Sequence, residues 1–167
     1  MPAGLETSNR AHVALFWAAL RMIVDNPLIG VGPLNFKSLS TSYTGLDIAN
    51  IAHNSFLEIA AEFGLPALAV FLLLLGAAFA NLSSAARLGA SPHTRALAGW
   101  GEGLRAGLIG FLVCGCFISA QYEKILWLTV FLTIPLGVLV QRAALDTVGE
   151  ADEPPASDLV PVPEGAG

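Results

Sequence analysis

The sequence predicts an all-α membrane protein in which a helical segment outside the bilayer precedes three transmembrane helices. Of its 167 residues, 54% are hydrophobic and only 13% are charged, whereas about a quarter of the residues in a typical soluble domain are charged. The deficit is concentrated in three charge-free runs, residues 63–86, 106–122 and 125–141. Because about 17–25 apolar residues span the hydrocarbon core as a helix, we expect each run to cross the membrane.

A further helix is predicted before these runs, in "SNRAHVALFWAALRMIVDNP" at residues 8–27. The Ser-Asn pair at its start can cap a helix, and the Asn-Pro pair at its end stops one. Arg10 and Arg21 are eleven residues apart, which is close to three full turns, and Trp17 falls near the same line. Such a stripe suits a helix that lies on anionic head groups, and it equally suits a helix that overlooks an anionic substrate.

A Gly/Pro turn is predicted after this helix, in "LIGVGPLNF" at residues 28–36. It does not match a phosphate-binding loop, because it lacks the third glycine of a dinucleotide motif, and the Lys37-Ser38 pair that follows it is not preceded by the glycine of a P-loop. The polar segment "SLSTSYTGLD" at residues 38–47 predicts a loop that is mobile enough to act as a lid.

The first transmembrane helix is expected to start before its charge-free run. Ser55 and Glu58 form a capping-box pattern, so His53 and Asn54 lie just before the first turn, at the positive end of the helix dipole. A Gly-Leu-Pro triplet then predicts a kink or break near the interface. Glu58 and Glu62 are four residues apart and share a face that suits water, protein or the arginines rather than lipid.

The distribution of basic residues predicts the orientation in the membrane. Arg87, Arg95 and Arg105 lie between the first two runs against one acid, and Arg142 follows the third run. Because short loops rich in Lys and Arg stay in the cytoplasm, we expect this link and the C-terminus there, and His53 on the opposite face.

Three segments follow from these features. Residues 1–62 form the helical and loop segment outside the cytoplasm, which carries the candidate catalytic motifs. Residues 63–142 form the three-span region. Residues 143–167 hold six acids and no base and are rich in Pro and Gly, so we expect a disordered cytoplasmic tail.

Two runs, "ALRMIVDNPLIGVGPLNF" and "AHNSFLEIAAEFGLPALAVFLLL", occur in an order that resembles the O-antigen ligase/polymerase family of bacterial membrane proteins. The resemblance covers about residues 11–75. It implies a multi-pass inner-membrane glycosyltransferase of lipopolysaccharide or polysaccharide biosynthesis, with residues 1–62 in the periplasm. Such proteins move a glycan from undecaprenyl diphosphate to a lipid or glycan acceptor, so the implied partners are these substrates and membrane lipids, with no nucleic acid.

The resemblance also implies roles for particular residues. His53 corresponds to the essential histidine of the family, and Arg10 and Arg21 would bind the diphosphate, with Asn54 and Glu58 in support. The chemistry is coherent, because a histidine accepts a proton near neutral pH and arginine forks stabilise a departing diphosphate. The sequence has no Asp-x-Asp pair and no convincing metal-ligand cluster, so we expect a reaction without metal or cofactor that inverts the anomeric centre.

Alternatives to this hypothesis remain open from the sequence. Family members usually have about a dozen spans, so we expect this chain to be the C-terminal portion of a larger fold, inactive without a missing N-terminal half or a partner chain. It could instead be a non-catalytic module or a truncated remnant, in which His53 only caps a helix and the arginines contact lipid. A small transporter or channel subunit is disfavoured, since no span interior carries a charge. Ligase and polymerase, and the sugar and acceptor, are not distinguished.

Overall fold

The computed structural model describes residues 3–45, 47, 49–87 and 94–152, with the side chains of residues 3–8, 144 and 147–152 left out. This part of the chain contains α-helices and no β-strand, which confirms the predicted fold class. The helices are α1 (Ala3–Asp25), α2 (Phe36–Thr44), α3 (Ser55–Arg87), α4 (Arg95–Gly115) and α5 (Lys124–Asp152).

The first two helices differ from the sequence predictions at identifiable points. α1 ends at Asp25, directly before the Asn-Pro pair, but it begins at Ala3, because the preceding Ala, Leu and Glu residues favour helix. The segment predicted as a polar lid is mostly helix α2. Phe36 is fully buried at its first residue, and Gly45 ends it in the left-handed conformation with an N–H bond to the carbonyl of Thr41.

α3 is broken at Gly64, which has φ 86° and ψ 171°, as the Gly-Leu-Pro triplet predicted. The turn at residues 27–32 packs against this break. The N–H groups of Val31 and Gly32 donate to the carbonyls of Ala61 and Glu62, at 2.8 and 2.9 Å. These carbonyls lie at the end of a helical segment, where partners within the helix are missing.

The same turn also binds the chain after the break. There the N–H of Leu65 donates to the carbonyl of Pro27 at 2.8 Å. The two backbones approach closely. A Cβ atom added to Gly30 would lie 2.3 Å from the carbonyl carbon of Glu62, and one added to Gly64 would lie 2.4 Å from the carbonyl oxygen of Leu28. Both glycines also have a positive φ. The turn at residues 27–32 and the break at Gly64 therefore form one interlocked unit.

Within the described residues, three helices are long and apolar enough to cross a membrane: Ser55–Arg87, Arg95–Gly115 and Lys124–Ala143. Beyond the break, residues 65–87 alone extend about 34 Å as a helix, which matches the hydrocarbon thickness. The number of spans agrees with the sequence prediction.

The second and third spans have different bounds from those predicted. α4 runs over Arg95–Gly115 instead of residues 106–122, so Arg95 and Arg105 lie in a helix rather than in a loop. The expectation that no span interior carries a charge is wrong for α4, which contains Glu102 and Arg105. It ends at Gly115 because the residues after it hydrogen-bond to the start of α3. α5 continues to Asp152, so the first residues of the predicted tail are helical, and Ala, Leu and Val favour helix there. The rest of the tail, residues 153–167, lies outside the described residues.

α3 contacts all four other helices and joins two apolar clusters. The first lies between α3, α4 and α5 and includes the buried side chains of Phe71, Leu82, Leu108 and Leu126. The second packs α1 and α2 against the first part of α3, and its members include Leu15, Met22, Phe36 and Ala61. α3 is thus the element that connects the membrane helices to the residues of the candidate site.

Candidate active site

The start of α3 is capped by Asn54. Its Oδ1 atom accepts hydrogen bonds from the N–H groups of Phe56 and Leu57, each at 3.0 Å, which satisfies two of the unpaired donors of the first turn. The capping box predicted at Ser55 is therefore wrong. The Ser55 hydroxyl instead donates to the carbonyl of Ile118 and accepts from the N–H of Ala120, both at 2.8 Å.

His53 immediately precedes this cap in a left-handed conformation with φ 52°. This region costs a residue with a side chain about 1–3 kcal/mol and persists only where the surroundings enforce it. The neighbouring backbone is held by Glu58, whose Oε2 accepts from the N–H of Ala52 at 3.2 Å. Two residues further back, the N–H of Asn50 donates to the hydroxyl of Ser40 at 3.0 Å, which fixes the loop to α2.

The His53 side chain lines an open cavity of about 440 Å³, within the range of small-molecule sites. His12 of α1 lines the same cavity, and the two rings meet edge to face with centroids 4.7 Å apart. His12 was not among the site residues predicted from the sequence. Its signal is the spacing from Asn9 and to Phe16, three and four residues away, which places all three on one face of α1 and in the cavity wall.

The surroundings of His53 favour its neutral form. Partial burial lowers the pKa of His53 most, and the nearby charge of His12 lowers it further, while Glu58 opposes both effects. A neutral imidazole is the form that can accept a proton.

Glu58 is buried, with 4% of its surface exposed. Its carboxylate accepts hydrogen bonds from the N–H of Ala52 and from the hydroxyl of Ser119. The sequence predicted water, protein or the arginines as the surroundings of Glu58, and in the structure its carboxylate is surrounded by protein. Glu58 therefore connects the backbone next to His53 to the link between α4 and α5.

Glu62 is 1% exposed and makes a parallel connection one turn later. Its Oε1 accepts from the N–H of Phe36 at 3.1 Å, so the charge lies at the N-terminus of α2, where the helix dipole favours an anion. The hydroxyl of Tyr122 donates to the same carboxylate. Burial, and then this hydrogen bond, raise the pKa of Tyr122, so the hydroxyl stays protonated as a donor.

The link between α4 and α5 forms one wall of the His53 cavity. Cys116 and Phe117 line the cavity, and the Nδ2 atom of Asn54 donates to the carbonyl of Cys116 at 3.1 Å. Together with the bonds of Ser55 and Glu58, this holds the link against the start of α3. Cys116 and Phe117 were not among the site residues predicted from the sequence.

Arg10 and Arg21 are exposed on α1, as the predicted stripe requires, but neither lines the His53 cavity. Arg10 lines a shallow concavity that includes Asn9, and Asn9 also lines the His53 cavity. Arg21 donates from Nη1 to the carbonyl of Tyr43 at 3.4 Å, at the end of α2. The structure thus brings His53 together with His12, and Arg10 lines a separate concavity that shares Asn9 with the His53 cavity.

No group of three or more His, Cys, Asp or Glu side chains suited to a metal ion occurs among the residues that the structure describes. The expectation of a metal-independent reaction stays a prediction.

The fold and the cavity together define the class of protein: an all-helical, multi-pass membrane protein with a histidine-lined cavity at the start of the span formed by α3. Residues 3–72 match the family model described as O-Antigen ligase. The matched segment contains all five residues proposed from the sequence, and the predicted resemblance to this family is confirmed. No curated protein matches the chain. No solved structure matches it either.

Proposed function

We propose that the chain supports O-antigen ligase-type transfer of a glycan from undecaprenyl diphosphate to a lipid or glycan acceptor, with His53 as the general base. The observation that carries this proposal is the position of His53 within the family match. It is held in a strained conformation at an open cavity, with its pKa lowered towards the neutral form. We place the reaction at the periplasmic face of the bacterial inner membrane, with the C-terminus in the cytoplasm.

In the proposed step, an acceptor hydroxyl enters the cavity and gives its proton to neutral His53. The hydroxyl oxygen forms a bond to the anomeric carbon while the bond from that carbon to the diphosphate oxygen breaks. The diphosphate leaves with the electron pair, and a single displacement inverts the anomeric centre. Asn54 and Glu58 support the base by fixing the backbone on both sides of it.

The departing diphosphate needs positive charge, which we assign to Arg10 and Arg21. Arg10 adjoins the cavity through Asn9, so we expect it to be the main contact. Arg21 already donates to the carbonyl of Tyr43, so its guanidinium has a structural partner as well.

The first test compares two matched arginine variants in one assay. The chain, together with the N-terminal half or partner chain expected to complete it, is placed in liposomes with undecaprenyl-diphosphate glycan and an acceptor, and the glycosylated acceptor is measured. A charge-assisted hydrogen bond is worth about 1.5–3 kcal/mol, so Arg10→Gln should lower kcat/KM about 10- to 150-fold. Arg21→Gln, an exposed arginine on the same helix, should have a smaller effect.

The outcome contradicts the arginine assignment if both variants transfer glycan at the wild-type rate. Absence of any transfer by the wild-type protein, with its carrier, its acceptor and the expected N-terminal half or partner chain supplied, would contradict the proposed function and favour the non-catalytic module.

A second test uses pH. Since the pKa of His53 lies below its ordinary value of about 6.5, the base is neutral at higher pH and is protonated as the pH falls. The acid limb of kcat/KM should therefore have its midpoint below pH 6.5. His12→Gln removes a positive charge beside His53 and should move this midpoint to higher pH, while Glu102→Gln on α4 should leave it in place. If the midpoint of the acid limb is the same in His12→Gln as in the wild-type protein, His53 is not the titrating base.

A further inference from the structure

A second cavity, of about 230 Å³, lies between α3 and the start of α5 and shares no lining residue with the His53 cavity. Its wall from α3 consists of apolar side chains, among them Phe63, Ala67 and Val70. Trp127 of α5 forms the opposite side, and Gln121 and Tyr122 of the link complete it. We call this cavity the α3–α5 groove.

Gln121 is a polar side chain without a polar partner in this apolar groove. It is 4% exposed, and neither its Nε2 nor its Oε1 has a hydrogen-bond partner within the described part of the chain. The indole N–H of Trp127 bonds to its main-chain carbonyl at 2.9 Å and so fixes the residue without satisfying its amide. The nearby hydroxyl of Tyr122 is bonded to Glu62. A buried amide in this state favours a ligand that supplies a hydrogen-bonding group.

The position of the groove indicates the depth of that ligand. Tyr122 and Trp127 are the residue types that concentrate at the boundary between head groups and acyl chains. From there the apolar wall of α3 continues along the predicted span as far as Leu74. A ligand in the groove would have its polar part beside Gln121 and its apolar part along α3.

We propose that the α3–α5 groove binds one acyl chain of a bilayer glycerophospholipid, and that the amide of Gln121 donates to the ester carbonyl of that chain. The volume lies below the 300–1,000 Å³ of drug-sized sites and suits a single hydrocarbon chain. The ester is the polar group that a phospholipid carries at the boundary between its head group and its chains. This inference does not depend on the proposed glycan transfer.

Electrostatics favours this occupant over a polyprenyl diphosphate. No cationic side chain is among the residues that line the groove, and the Glu62 carboxylate is bonded to Tyr122 at its edge. A diphosphate beside that carboxylate would meet a like charge without compensation, whereas an ester carbonyl is neutral. The groove is therefore suited to a lipid chain with a neutral linkage.

The test measures binding of a diester phosphatidylethanolamine and of its diether analogue, which lacks carbonyls, to the full-length protein by native mass spectrometry. The wild-type protein should bind the diester about three- to tenfold more tightly, as expected for one hydrogen bond to a neutral group. Gln121→Leu should bind both lipids equally, because it removes the amide and keeps the apolar wall.

A second pair of variants tests the groove itself. Val70→Trp fills the groove and should reduce binding of both lipids at least tenfold, while Leu73→Trp, on the exposed lipid side of the same helix, should not. Equal binding of diester and diether by the wild-type protein would overturn the role of Gln121. Unchanged binding by Val70→Trp would overturn the site, and displacement of the phospholipid by equimolar undecaprenyl phosphate would assign the groove to the carrier.

Discussion

Replacing Gly64 with alanine is expected to prevent the chain from reaching a stable fold in the membrane. At φ 86° and ψ 171° this residue occupies a region that is essentially restricted to glycine. The added Cβ would also lie 2.4 Å from the carbonyl oxygen of Leu28, which belongs to backbone and cannot rotate away. Strain and overpacking of this kind each cost about 1–3 kcal/mol, so the sum is a large part of the stability of an ordinary domain.

Variants at two other glycines distinguish backbone strain from overpacking. Gly45 has φ 71° with open space around it, so Gly45→Ala should show the backbone strain alone, about 1–2 kcal/mol. Gly76 is helical with open space, so Gly76→Ala should be neutral or slightly stabilising. Gly30→Ala should behave like Gly64→Ala, since its Cβ would meet Glu62 from the other side of the same contact.

The measurement is thermal or denaturant unfolding of the purified proteins in one detergent, together with the amount recovered from membranes. The order of stability should be Gly76→Ala, then Gly45→Ala, then the Gly30 and Gly64 variants. If Gly64→Ala proves as stable as Gly45→Ala, the contact between residues 27–32 and the break at Gly64 is not what holds the outer segment to α3.

Replacing His53 with alanine is expected to abolish detectable glycan transfer while the protein still inserts and folds. A positioned general base contributes about 10²–10⁴ in rate. The other imidazole of this cavity, His12, lies on α1 and not at the start of α3. The stability of the variant should be little changed. The left-handed φ of 52° is unfavourable for any side chain, so alanine adds no backbone strain.

His53→Gly provides the matched control for this prediction. Glycine adopts φ 52° without cost and should stabilise the fold, yet it lacks a base and should be as inactive as alanine. Transfer by either variant at the wild-type rate would refute the assignment of the base. A cytoplasmic location of residue 53 in topology mapping would separate it from a carrier-linked glycan outside and would contradict the proposed function as a whole.

Local signals in the sequence predicted the parts of the fold that depend on neighbouring residues. The Asn-Pro pair ended α1 at Asp25, the Gly-Leu-Pro triplet broke α3 at Gly64, and charge-free runs marked three spans. α2 was missed for a physical reason, because a segment rich in Ser and Thr has weak helix propensity. Its helix depends on the burial of Phe36 and on the carboxylate of Glu62 at its N-terminus, and both are tertiary contacts.

The candidate site shows the same division. His53 and its family motif were recognised from the sequence, because the residues that carry them are contiguous. His12 was missed, since the periodicity of α1 tells which residues share a face but not which distant segment that face meets. The arginines were predicted on one stripe, and they lie there, but the stripe does not point into the His53 cavity.

The hydrogen bonds between the link at residues 116–122 and the first turn of α3 affect how the boundaries of this protein should be drawn. The family match ends at residue 72, yet one wall of the His53 cavity is supplied by Cys116 and Phe117. A polypeptide cut at the end of the matched region would keep all five residues proposed for the site from the sequence and would lose part of the wall of the His53 cavity. Grafting or expressing such a segment therefore requires the helical hairpin that follows it. The presence of the motifs alone does not show that a segment contains a complete site.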